Sequence, residues 1–162
     1  MKLFALLTLC IATATLQAEP EYPKMGPDIY DTQADGTGQI ATALTRARAE
    51  HKNVLLKLGA NWCIWCRRLN DTFHHNEAVA KMLEENFVVV LVDVNHRNGL
   101  NRNDAVNDKY GNPMAQGLPV LVVLAANGTQ LTTQETGALE DGKDAHDPAK
   151  VIAFLRQWAP KK

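Results

Sequence analysis

Two cysteines three positions apart, Cys63 and Cys66, sit between a short apolar run, Val54 to Leu58, and a stretch with helical spacing. That junction constrains the chain more than any other feature. A C-x-x-C at the start of a helix places the first thiol at the exposed N-terminus and the second about one turn inward. Free backbone N–H groups and the positive end of the helix dipole favour a thiolate there. A lowered thiol pKa makes a cysteine nucleophilic at neutral pH. The pair is therefore placed for dithiol–disulfide exchange, although the same spacing also serves in zinc sites.

The N-terminus is a separate object. Met1-Lys2 gives a short positive region, Leu3 to Ala14 an apolar run, and Leu16-Gln17-Ala18 a small residue at a cleavage position. This pattern predicts a secretory signal peptide over residues 1–18, cut after Ala18. A membrane anchor is the competing reading, but the run is short for a bilayer span and a Pro/Glu-rich segment follows. Cleavage removes Cys10 and leaves Cys63 and Cys66 as the only cysteines. A bridge closing so short a loop restrains the unfolded chain little, so the pair reads as catalytic rather than structural. The expected location is periplasmic or secreted. The length of 162 residues fits one domain, and a net charge of −1 gives no basic excess for nucleic acid or anionic membrane.

Residues 19–36, with Pro20, Pro23, Gly26 and Pro27, read as an extended lead-in with little structure. Asp35 or Thr37 can cap a first helix in which Ile40, Ala43, Leu44 and Ala47 share a face. Val54 to Leu58 reads as a buried strand, and Cys63 to about Phe73 as helix. Asn76 can cap a further helix ending at Asn86. Phe87 to Val94 is a β-branched apolar run of the kind found at the centre of a parallel sheet. Asn95 to Gln116 is polar, with a short helix expected around Asp104 to Tyr110. Leu118 to Ala125 is another apolar strand, and Asn127-Gly128 signals a two-residue hairpin back through Thr129 to Thr133. Asp147-Pro148 opens a last helix with Val151, Phe154, Leu155 and Trp158 on its apolar face. Helical crossovers imply parallel pairing, and the hairpin adds an antiparallel edge. The expected fold class is α/β, a mixed sheet of about four to five strands with helices on both faces.

Trp62-Cys63-Ile64-Trp65-Cys66 after a strand, Gly117-Leu118-Pro119-Val120 opening a later strand, and the C-terminal helix together resemble the thioredoxin fold. The resemblance covers about Gly38 to Ala159, within a domain of residues 37–162, and is greatest to secreted thioredoxin-like proteins of bacteria. It implies that Cys63 is the nucleophile and Cys66 the buried resolving thiol. It implies that Pro119 is a cis-proline facing the disulfide and that the Leu118 backbone pairs with a bound substrate. Trp62 would cover the rim. Many thioredoxins carry a buried acid six residues before the first cysteine. Here that position is Lys57, which either snorkels out of the strand end or points at the pair and favours a thiolate. The dipeptide Ile64-Trp65 differs from those of thioredoxin and of the strong oxidants, which leaves the direction of the reaction open.

Trp65 reads either as a partner-contact surface or as packing on Trp62 or Phe73. Arg67-Arg68 reads as solvated surface or as a source of positive potential near the thiolate. The Asn95–Gln116 segment reads as a variable surface loop or as an insertion shaping partner choice. His74-His75 reads as helix surface, since a zinc site needs about four ligands and no second pair exists. The functional expectation is an exported oxidoreductase that needs no organic cofactor and acts as a monomer on protein or small-molecule disulfides. A membrane-bound dithiol would be its electron donor. The alternatives are a thioredoxin-fold binding module, or a metal-handling protein with little redox turnover.

Overall fold

The computed structural model describes residues 25–161. The leader, its cleavage position and the first part of the lead-in lie outside them. The chain runs α1 (Gly36–Glu50), β1 (Asn53–Gly59), α2 (Ile64–His75), α3 (Glu77–Asn86), β2 (Phe87–Asp93), α4 (Asp104–Lys109), β3 (Val120–Leu124), β4 (Gln130–Glu135) and α5 (Pro148–Trp158).

Local chemistry sets the helix starts. Asp35 accepts the N–H groups of Thr37 and Gly38 at the head of α1. Asn76 ends α2 and caps α3 by accepting the Val79 N–H. Asp147 caps α5, with Pro148 at its first position. Each cap satisfies N–H groups that have no partner inside the helix.

The four described strands pair in the order β2-β1-β3-β4. β1 runs parallel to β2, with Gly59 opposite Asp93, and antiparallel to β3, with Leu58 opposite Val120. β3 and β4 are antiparallel. The mixed sheet and its two helical layers match the expected fold class, with three corrections. Helical crossovers predict a parallel β3, yet it runs back against β1. α4 has six residues and rises about 9 Å, against about 23 Å for a seven-residue strand. The connection therefore stays at the end where β2 finishes, and β3 starts from there. Phe87–Val94 reads as a central strand, yet β2 lies at the edge of the described sheet. Its apolar side chains are covered by helices on both faces rather than by two neighbouring strands. The hairpin loop has three residues, not two: the Ala125 N–H donates to the Thr129 carbonyl and the Gly128 N–H to the Ala125 carbonyl, each at 2.8 Å. Gly128 alone of the three takes a positive φ, +91°.

Period-two alternation divides the core. Val54, Leu56 and Leu58 of β1 join Val88, Val90 and Val92 of β2 and Val120, Val122 and Leu124 of β3 under α1 and α4. Leu55, Leu121 and Val123 face the other way, against Leu69 and Phe73 of α2, Val79 and Leu83 of α3 and Val151, Phe154 and Leu155 of α5. Lys57 and Gly59 share that second face with Leu55, which brings them beneath the first turn of α2.

Candidate active site

Cys63 is the N-cap of α2, with extended backbone, and its Sγ accepts the Cys66 N–H at 3.1 Å. The two residues are joined as a disulfide, their Cα atoms 5.2 Å apart. The first thiol reads from sequence as exposed, but Cys63 is only 5% exposed and Cys66 is fully buried. Tyr30, Ile29, Trp62, Trp65 and Leu118 pack around the pair and close it off. Ile64, between the cysteines, is 47% exposed and is the apolar face that the motif turns to solvent.

The loop before β3 meets Cys63 from the other side. The Leu118–Pro119 peptide bond is cis. The Leu118 carbonyl oxygen lies 3.5 Å from Cys63 Sγ, and the Pro119 carbonyl accepts the buried Thr136 hydroxyl at 2.7 Å. Cys63, Cys66, Leu118 and Pro119 thus come together from α2 and the head of β3.

The two tryptophans are held by different partners. Trp62 Nε1 donates to Asn95 Oδ1 at 2.7 Å, and the Arg97 guanidinium lies 3.5 Å from the ring centroid. Asn95 Oδ1 also accepts the Arg97 N–H, so the polar segment after β2 begins as a clamp on the site rather than as a free surface loop. The ring contacts of Trp65 are an edge-to-face meeting with His146 (5.6 Å, 89°) and a stack under Arg68 at 4.5 Å. Arg67 donates to the carbonyls of Asn61 and Pro27, at 3.0 and 2.8 Å. Neither arginine is merely solvated.

Lys57 does not snorkel. It is fully buried, and its Nζ donates to Asn70 Oδ1 at 2.9 Å and to the Cys66 carbonyl at 3.3 Å. It lies within β1 beneath α2, so its amine ends inside the fold and not at the surface. Burial pushes its pKa down to about 7, and the charge of Asp71 opposes the shift.

The described part of the lead-in has bends and turns but no helix or strand of its own, and the site holds it in place. Asn61, 1% exposed, accepts the N–H groups of Ile29 and Tyr30 and donates to the Tyr30 carbonyl, each at 2.9 Å. These bonds seat Tyr30 against Gly59 and Cys66. A Cβ on Gly59 would stand 2.6 Å from Cys66 Sγ and would strike the Tyr30 hydroxyl, so the close approach requires glycine. Burial, with a smaller contribution from Asp93, holds the Tyr30 hydroxyl well above its usual pKa.

His146 completes the buried surround. It is 2% exposed, and neither ring nitrogen has a hydrogen-bond partner among the described residues. Burial first, then the charge of Lys57, lowers its pKa to about 4. Among the described residues no group of three or more His, Cys, Asp or Glu could hold a metal ion, and His74 and His75 lie exposed on α2.

Sequence reasoning does not find Tyr30, Asn61, Asn95 or His146. Lys57 carries a readable signal: a lone polar residue inside an apolar strand buried on both faces has to be buried too. The others reach the site across sequence distances of about 30 to 80 residues, with no local pattern to mark them.

Residues 35–127 match the sequence model of a family described as thioredoxin-like. A solved structure titled as a disulphide isomerase from Xylella fastidiosa Temecula1 is 30% identical and superposes with a TM-score of 0.70, covering 81% of this chain and 96% of that one. The C-terminal domain of DsbD from Neisseria meningitidis in its oxidised form, 21% identical, shares the fold at a TM-score of 0.56, over 77% of this chain and 97% of that domain. Spermatogenesis-associated protein 20 of Mus musculus is 34% identical over 55 residues, which are 34% of this chain and 7% of that protein. The chain spans less than a tenth of the length of the curated relatives it matches. Tyr30 and His146 both fall outside the family match. Through the match over residues 35–127, the chain belongs to the thioredoxin-like family.

Proposed function

We propose that the chain is an exported thiol–disulfide oxidoreductase that reduces disulfides of proteins or small molecules, acting as a monomer. The observation that carries this reading is the Cys63 sulfur. It lies at a helix N-terminus, accepts the Cys66 N–H at 3.1 Å and faces the Leu118 carbonyl at 3.5 Å. The first contact favours a thiolate on Cys63 once the bridge is reduced. The second sets Cys63 beside backbone that a substrate strand can pair with.

In the reductive cycle the Cys63 thiolate attacks a substrate disulfide. A mixed disulfide forms and one substrate thiolate leaves. Cys66 then attacks Cys63, the Cys63–Cys66 bridge closes, and the second substrate sulfur departs. Two electrons pass from the dithiol to the substrate, and an outside, membrane-bound dithiol restores them. Oxidation or isomerisation uses the same residues from a different resting state. Trp62, Trp65, Leu118 and Pro119 form the rim that a partner meets. Export rests on the signal-like pattern of residues 1–18.

A Cys66→Ser variant is expected to accumulate mixed disulfides through Cys63, visible as thiol-labile adducts on non-reducing gels. Free turnover without such adducts would overturn the division of roles. The reduction potential decides direction: a value near thioredoxin's, about −270 mV, fits a reductase, and one near about −120 mV fits a disulfide donor.

The exposed Ile64 and the arginine-capped tryptophans favour a second reading, a binding module that holds a partner without turnover. Stable capture of a partner that survives Cys63→Ser, with negligible disulfide reduction by the wild type, would select it.

A further inference from the structure

We propose that the rim of the disulfide selects polypeptide substrates whose reacting cysteines are flanked by carboxylates, and that Arg68 and Arg97 are the residues that read them. The proposal rests on the oxidoreductase reading above and adds the class of substrate that the site takes.

The two arginines are mounted in the same way on two tryptophans of the motif. The Arg97 guanidinium carbon lies 3.5 Å from the ring centroid of Trp62, and that of Arg68 lies 4.5 Å from the ring centroid of Trp65. Stacking occupies one face of a guanidinium and leaves its N–H edge open. That edge matches the two oxygens of a carboxylate. Each ring is itself held. Trp62 donates to Asn95, and Trp65 meets the buried His146 edge-on. The arginines therefore rest on fixed platforms, and binding a carboxylate orders less side chain than it would at a free surface arginine.

Their placement fits a strand. Trp62 is held by the segment that leaves β2, and Trp65 by a residue from beyond β4. β2 and β4 are the two edges of the described sheet, so the two rings are drawn to different sides of the motif. The Leu118 carbonyl faces the Cys63 sulfur between them at 3.5 Å. A polypeptide seated on that backbone carries the neighbours of its cysteine to both sides, which a small disulfide does not.

The two charges are also unspent. Among the described residues neither Arg68 nor Arg97 is paired with a carboxylate, and Arg97 is exposed. The acids around them are engaged elsewhere. Asp93 is paired with Arg102 at 2.8 Å, and Asp104 with His96. Asp71, three residues after Arg68, lies 3.7 Å from His75. Asp141 accepts the N–H groups of Lys143 and Ala145 at 2.8 and 3.2 Å. The chain as a whole carries a net charge of −1, so the positive rim is a local feature and not the reflection of a basic protein.

The test uses three synthetic peptides, each closed by one disulfide and differing only in the residues beside the two cysteines, which are Glu, Gln or Lys. Reduced protein is mixed with each at pH 7, and its oxidation is followed by acid quench and alkylation. Each rate is divided by the rate of dithiothreitol with the same peptide, which removes the peptide's own reactivity. One exposed ion pair of this kind is worth up to about fivefold, so the two together are expected to favour the Glu peptide over the Gln peptide about tenfold at low salt, with the Lys peptide slowest. At about 1 M salt the screening length is about 3 Å, and the preference should shrink to about twofold or less. The double variant Arg68→Gln, Arg97→Gln is expected to bring the ratio of the Glu to the Gln rate at low salt to about one. A wild-type ratio already near one at low salt, or a ratio that the double variant leaves unchanged, overturns the proposal and leaves the oxidoreductase reading standing. A wild type that reduces none of the three peptides faster than dithiothreitol does overturns that reading, and this proposal with it. If the double variant fails to fold, the salt series on the wild type decides. A preference that fades with salt supports the proposal, and one of the same size at about 1 M salt overturns it.

Discussion

Asn61→Ala tests how the lead-in is locked onto the dithiol. The side chain supplies three hydrogen bonds of 2.9 Å to the backbone of Ile29 and Tyr30, inside a site where Asn61 is 1% and Tyr30 is 2% exposed. Two outcomes compete. If the segment stays in place, three buried backbone groups lose their partners. At about 1 kcal/mol per net bond, and more for each donor left unsatisfied, the cost is at least about 3 kcal/mol. If the segment detaches, the backbone regains water, but the burial of Tyr30 is lost, which costs about 2 kcal/mol for a large ring. The cheaper route sets the measured value, so about 2–3 kcal/mol is expected. At roughly 3 °C per kcal/mol for a chain of this size, the melting temperature falls by about 6–9 °C. Denaturant unfolding gives the free energy. The rate of iodoacetamide labelling of Cys66, in reduced protein carrying Cys63→Ser, shows which route was taken. Detachment uncovers Cys66 and should speed labelling at least tenfold, on the order of a local opening made cheaper by more than 1.4 kcal/mol. A loss below about 0.5 kcal/mol with unchanged labelling would refute the argument that Asn61 is the lock.

Two pH effects follow from the buried bases. The unfolded His146 binds a proton below about 6.5 and the folded one below about 4, so between these values the unfolded state carries the extra proton and stability falls as pH falls. His146→Leu should flatten that loss, read as the difference in unfolding free energy between pH 7 and pH 5 against wild type. Lys57 gives the same sign in a higher window. Its folded pKa of about 7 lies below the 10.5 of an unperturbed lysine, so stability rises with pH between them by up to a few kcal/mol. The slope should disappear in Lys57→Met, and an unchanged slope would show that the ammonium is not destabilised by burial.

What the sequence reveals and what it hides divides along the range of the interaction. The caps Asp35, Asn76 and Asp147 are legible because each bonds to N–H groups within three residues of itself. The strands are legible because an apolar run of five to eight residues has few other uses. The order of strands in the sheet is not. β3 runs antiparallel because α4 is too short to span the sheet, and β2 falls at the edge because its apolar cover comes from helices. Neither fact is written in the strand itself. The cysteines and Pro119 are legible as a motif, whereas the packing around them is not. Asn61 lies inside the motif stretch, but its role depends on Tyr30, 31 residues earlier. His146 reaches Trp65 from beyond β4, in a stretch with no apolar period. Lys57 lies between the two cases. Its position is plain from sequence, and the side to which it points follows from the alternation through Leu55 and Gly59.

The most direct measurement is disulfide reduction by the wild type and by Cys63→Ser, assayed with insulin and excess dithiothreitol at pH 7 after confirming that both proteins fold. Dithiol exchange through Cys63 predicts clear acceleration over dithiothreitol alone by the wild type and none by the variant. Equal acceleration by both proteins would contradict it.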